Sequence, residues 1–134
     1  MTALTKDRMT PVRNGTLIYE WPVAAGVTIY RGALVVIDNT GAAKPGVAAT
    51  GLVAVGRAET GTLDITPTAR VRTRRGIFAF ANSTGADLIG AANWGAPVYI
   101  VDDQTLALTN GGGTRSQAGI CRGLDEAGRV YVEI

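Results

Sequence analysis

The sequence has no histidine, one cysteine, two serines and two glutamines among its 134 residues. Each shortage removes a class of chemistry. Without His, the commonest general base and the commonest metal ligand are missing. The lone Cys121 can neither close a disulfide within the chain nor assemble a Cys/Cys or Cys/His metal site. Ser83 and Ser116 stand outside any G-x-S-x-G context. Gly111-Gly112-Gly113-Thr114 lacks the lysine and the spacing of a phosphate loop, and no G-x-G-x-x-G occurs. Asp102-Asp103 closes an apolar run, where strand neighbours point to opposite faces and the chain enters a turn. No catalytic residue, cofactor or metal site is expected, and the chain does not read as an enzyme.

Long apolar runs are also missing. No stretch approaches the roughly 20 residues of a spanning helix, and Met1 to Arg13 is polar without an apolar signal core, so a soluble protein without a secretion signal is expected. Charge of either sign is sparse: 13 basic against 11 acidic residues leave a net charge of +2. That balance argues against a polycation seeking nucleic acid.

What remains abundant is building material: 18 Gly, 20 Ala, 16 Thr and 22 Val or Ile. β-Branched residues favour strands. Residues 1–16 (MTALTKDRMTPVRNGT) follow neither a period of 2 nor one of 3.6 and read as an extended arm. From 17 to 134, short apolar runs are broken every eight to twelve residues by Gly, Pro, Asn or Asp: LIYEW, GVTIY, ALVVID, TGLVAVGRA, TLDIT, ARVRTRRGIFAF, APVYIVDD, TLALT, AGICRG and RVYVEI. This spacing predicts one mainly β domain, a compact sandwich or small barrel of short antiparallel strands. The glycine turns at Asn39-Thr40-Gly41, Thr60-Gly61, Asn110 to Gly113 and Ala127-Gly128 fit it. Gly85 to Trp94 is the one candidate helix, a turn or two long.

The chain also resembles itself. Gly32 to Ile37 matches Gly95 to Ile100 at a spacing of 63, while Val53, Gly56, Glu59, Gly61, Leu63 and Ile65 match Ile120, Gly123, Glu126, Gly128, Val130 and Val132 at a spacing of 67. Two similar halves, about 32–65 and 95–132, would follow.

Three groups of side chains are candidates for holding a partner. Arg70, Arg72 and Arg74 fall on one face of a strand, with Arg75 adjoining. Such a stripe either meets a phosphate backbone or an acidic surface, or forms a solvated face paired across strands with Asp64, Glu126 or Glu133. Trp21 and Trp94 can anchor an interface if exposed and otherwise pack at the rim of the core. Lys6, Arg8 and Arg13 lie on the arm.

The phrases MTALTKDRMTP, PVAAGVTIYRGALVVID, ATGLVAVGRAE, VRTRRGIFAFANS and PVYIVDDQTLALTNGGGTRSQAGICRGLDEAGRVYVEI resemble the capsid cement, or head decoration, proteins of tailed bacteriophages and Mu-like prophages. The likeness covers nearly the whole chain. It implies a non-enzymatic virion protein, made in the bacterial host cytoplasm. It would bind the outer surface of an expanded head, bridge major capsid protein subunits and often form a trimer. The alternatives are a small nucleic-acid-binding barrel using the Arg70–Arg75 strand, or another phage head or tail subunit.

Overall fold

The computed structural model describes residues 17–61 and 69–134, together with residues 3, 5, 6, 8 and 9 of the N-terminal segment. The protein is mainly β, with two antiparallel five-stranded sheets consistent with a β-sandwich. The first sheet contains β1 (Ile18–Pro22), β2 (Leu34–Ile37), β3 (Ala43–Pro45), β4 (Val53–Ala58) and β5 (Arg70–Arg74), in the order β1-β5-β4-β2-β3. The second contains β6 (Ile77–Phe80), β7 (Pro97–Ile100), β8 (Leu106–Ala107), β9 (Gln117–Leu124) and β10 (Val130–Glu133), in the order β6-β10-β9-β7-β8. Strand for strand, the two orders are the same. Each sheet curls until a single parallel bridge links its first strand's end to the opposite edge, Val23 to Ala43 and Ala81 to Thr105. Neither closes into the barrel that the sequence left open.

The registers agree as closely as the orders. Val35 faces Gly56 in the first sheet and Val98 faces Gly119 in the second, each pair followed by a register shift. Val35 and Val98, like Gly56 and Gly119, are 63 residues apart. Tyr19 faces Thr73 and Phe78 faces Val132, with both equivalent pairs 59 apart. The spacing of 67 between β4 and β9 is therefore not the one the sheets use; Gly56 corresponds to Gly119 rather than Gly123. Leu63 and Ile65 lie outside the described residues, and the strand corresponding to β10 is β5. A glycine-rich strand can slide by four residues against its own copy and still align glycines, and sequence alone does not prevent that slip.

Both glycines are required by close approach. A Cβ built on Gly56 would lie 2.3 Å from the Arg74 carbonyl oxygen, and one on Gly119 would lie 2.1 Å from that of Glu133.

Each sheet has a core. Val35, Ala43, Val55, Ala58 and Val71 surround the first, and Ile29 closes it. Phe80, Val98, Ile100, Leu106, Ala118, Cys121, Val130 and Val132 form the second, and Ile89 closes it. Ile29 belongs to GVTIY, expected as a strand. Its residues instead cross over the sheet in irregular backbone, Ile29 being fully buried. Leu34 and Val36 point to the other side of β2 from Val35 and join the second core. That makes β2 buried on both faces and explains its unbroken apolar run. Further links between the sheets are the Leu34 amide to Asp103 O at 2.8 Å, and Ser116, whose Oγ donates to Ala49 O at 2.6 Å and accepts from the Leu52 amide at 3.1 Å.

Over 85–94, where at most a turn or two of helix is expected, the chain forms two single 3-10 turns, Gly85–Asp87 and Ala91–Asn93, and no longer helix. The cause is Asn82. Its Oδ1 accepts from the Ile89 amide at 3.0 Å, and its Nδ2 donates to Ile89 O at 2.8 Å and to Gly128 O at 3.3 Å. Both backbone groups of Ile89 are thus taken, which leaves no helical bond for them to make and holds the Ile89 side chain in the core. Removing the amide in Asn82→Ala strands these groups, with an expected loss of about 1–3 kcal/mol in urea denaturation.

Candidate functional site

The arginine stripe lies where its alternation places it. Along β5, Val71 and Thr73 are fully buried, while Arg70 and Arg74 are partly exposed and Arg72 exposed. Its partners differ from those expected. Arg70 pairs with Glu20 of β1 at 3.4 Å and Arg74 with Glu59 at 3.2 Å, while Glu133 is bound to Arg122 at 2.8 Å. Asp64 lies outside the described residues, and Glu126 forms no ion pair among them. The pairings follow register, which spacing along the chain does not reveal. Of the stripe, only Arg72 has no carboxylate within ion-pair distance among the described residues. Two of three charges are thus neutralised locally, so the stripe offers little fixed charge to a phosphate backbone.

Glu59 accepts from two guanidiniums, Arg57 on its own strand's end and Arg74 on β5. The hydrogen bond from Arg57, reinforced by the charge of Arg74, holds its carboxyl below the ordinary value of 4.5. In the second half, Asp87 accepts from Thr109 and pairs with Arg115 at 3.1 Å, tying the first 3-10 turn to the loop after β8. Its carboxyl is lowered from 3.8, chiefly by the Thr109 hydroxyl. A depressed folded-state pKa contributes stability above the unfolded-state value, and that contribution disappears as pH falls through the folded value. Asp87→Asn is therefore expected to lower the urea midpoint at neutral pH and to flatten its decline below pH 4. An acid limb as steep as wild type would contradict the assignment.

Trp21 is half-buried on β1, with its indole Nε1 donating to Thr73 Oγ1 at 2.9 Å and its ring 6.3 Å from that of Tyr19. Arg75 turns away from the stripe. Its Nε donates to Ile134 O at 3.4 Å, and it lines a groove with Tyr19, Trp21, Val53, Ala54 and Val55. Lys6 and Arg8 are exposed, and Arg13 lies outside the described residues. The structure therefore does not gather the candidates at one place.

Trp94 is 64% exposed, directly after the second 3-10 turn. Arg122 places its guanidinium 4.7 Å from the ring centroid and is itself held by Glu133. The outer face of the second sheet also exposes Ile77 and Tyr131, with Ile120 partly exposed. The sequence marks Trp94, and Glu133 only as a partner for the arginine stripe, but not Arg122, because only the β9–β10 register brings Arg122 and Glu133 together.

Asp102 accepts from the Gln104 amide at 2.9 Å, as a turn residue does. Among the described residues no group of three or more His, Cys, Asp or Glu could hold a metal ion, and no helix is long and apolar enough to cross a membrane.

Comparison with known protein families, with curated proteins and with solved structures finds no match to this chain.

Proposed function

We propose that the protein is a decoration protein of a tailed-phage head, a structural component that binds the capsid's outer surface and bridges major capsid protein subunits. The observation that carries this reading is the Trp94 platform. A large, exposed aromatic side chain, fixed in orientation by Arg122 and Glu133 on a rigid sheet, is the kind of group in which interfaces concentrate their energy. Cation–π contact and ion pair together lower the ordering cost of docking, because the indole is held before the partner arrives. The sequence resemblance supplies the partner class. Assembly of several copies, a trimer in the resembling family, would multiply weak contacts over a symmetric shell.

The test adds purified protein to expanded heads that lack it and follows both binding and resistance of the heads to heat. Trp94→Ala should weaken binding about tenfold or more while leaving the protein's own melting temperature unchanged, since the ring is mostly solvated. Heads that neither bind the protein nor gain resistance would refute the reading. Against the nucleic-acid alternative stands the local pairing of Arg70 and Arg74, and no retention on DNA at low salt is expected.

A further inference from the structure

The contact between the two sheets is not symmetric. Leu34 and Val36 on one side of β2, joined by Leu52 and Ala54, pack into the second core. From the same side of β4, Arg57 lies 4.6 Å over the ring of Phe78. The other side of the first sheet faces its own core through Trp21, Val35, Val55 and Val71. The halves are therefore stacked head to tail, the outer side of the first on the core side of the second.

Such stacking leaves a second copy of each surface that the contact between the two sheets does not engage. The second half's receiving surface includes Phe78, Phe80, Ala118 and Ile134. Through the shared register, the corresponding residues of the first half are Tyr19, Trp21, Val55 and Arg75. All four line the open groove of about 330 Å³, together with Val53, which is 58% exposed. The inserting surface of the first half is Leu34, Val36, Ala54 and Arg57; its counterparts in the second are Pro97, Tyr99, Gln117 and Ile120. Pro97 and Gln117 are exposed, and Tyr99 and Ile120 partly so. This patch runs toward the Gln117 end of β9, and at Ile120 it borders the Trp94 platform, whose indole lies beside Gly123.

We propose that the groove of one copy receives the Pro97, Tyr99, Gln117 and Ile120 surface of a second copy, repeating between chains the contact that joins the halves within a chain. The surfaces suit one another. Both are apolar at the centre, with Trp21, Val53 and Val55 on the groove and Pro97, Tyr99 and Ile120 on the patch. An association of this kind is heterologous: it closes into a ring if the rotation between copies permits, and otherwise extends as a filament. It needs no capsid, so it and the decoration reading fail separately.

Sedimentation equilibrium of the purified full-length chain provides the test. Mass should rise with concentration to species larger than a dimer. Val53→Arg blocks the groove, and Gln117→Arg, or Ile120→Glu as a second choice, blocks the inserting surface. Each variant alone should be monomeric with an unchanged circular dichroism spectrum. Mixed in equal amounts, Val53→Arg and Gln117→Arg retain one working surface each and should form a dimer and nothing larger. A wild type that stays monomeric at millimolar concentration, variants that assemble as wild type does, or a mixture that stays monomeric would each overturn the proposal. Monomeric wild type combined with faster proteolysis of residues 1–16 in Val53→Arg would assign the groove to the chain's own N-terminal segment instead.

Discussion

Gly119→Ala should destabilise the protein by about 3 kcal/mol or more, at the upper end of what overpacking costs. The added methyl would meet the Glu133 carbonyl oxygen at 2.1 Å and the Val132 side chain at 2.9 Å. Relief requires β9 and β10 to separate in the middle of the second sheet. Neither neighbour can yield, because Val132 is fully buried. Gly56→Ala should have an effect of similar size, since its methyl would meet Arg74 O at 2.3 Å and its φ of +131° disfavours any side chain. The comparison that isolates close approach from glycine's flexibility is Gly112→Ala. There φ is +71° but nothing lies within 4 Å, so only a cost of about 1 kcal/mol is expected. Urea denaturation of the three variants gives the ranking. Near-equal effects at positions 119 and 112 would show that the strands accommodate the methyl and that the register is wrong.

The second large effect is expected at Leu34. It belongs by sequence to the first sheet and by packing to the second core, and it is fully buried. Leu34→Ala opens a cavity where the two sheets meet, for a loss of about 2–5 kcal/mol. Because the side chain couples the two cores, the loss should appear in a single unfolding transition reported equally by Trp21 in the first sheet and Trp94 in the second. Two separate transitions would mean that the cores are energetically independent and that the Leu34 contact contributes little. Comparable total stability is typically only about 5–15 kcal/mol, so either substitution consumes a large share of it.

Much of the architecture was legible in the chain. Alternation of Arg with Val and Thr placed Arg70, Arg72 and Arg74 on one side of β5, and short apolar runs between turn residues marked β1, β2 and β4 to β10. What stayed hidden depended on residues distant in sequence. GVTIY alternates like a strand, yet Ile29 is used to close the first core while its neighbours cross the sheet. β3, with the sequence Ala43-Lys44-Pro45, carries no strand signal and exists because β2 offers it a pairing edge. Around 85–94 the helical turns are held to two of 3-10 type by one side chain, Asn82, lying outside the segment. The same limit applies to the site. Trp94 is visible as a large aromatic beside a glycine, but Arg122 and Glu133 acquire their role only from the pairing of β9 with β10.

The function proposed for the chain is decided most directly by counting. Expanded heads saturated with the purified protein, freed of unbound material and quantified by mass, should carry it in a fixed ratio to the major capsid protein over the whole shell. Binding that is absent, that never saturates, or that stops at a few copies at one vertex would contradict a decoration role.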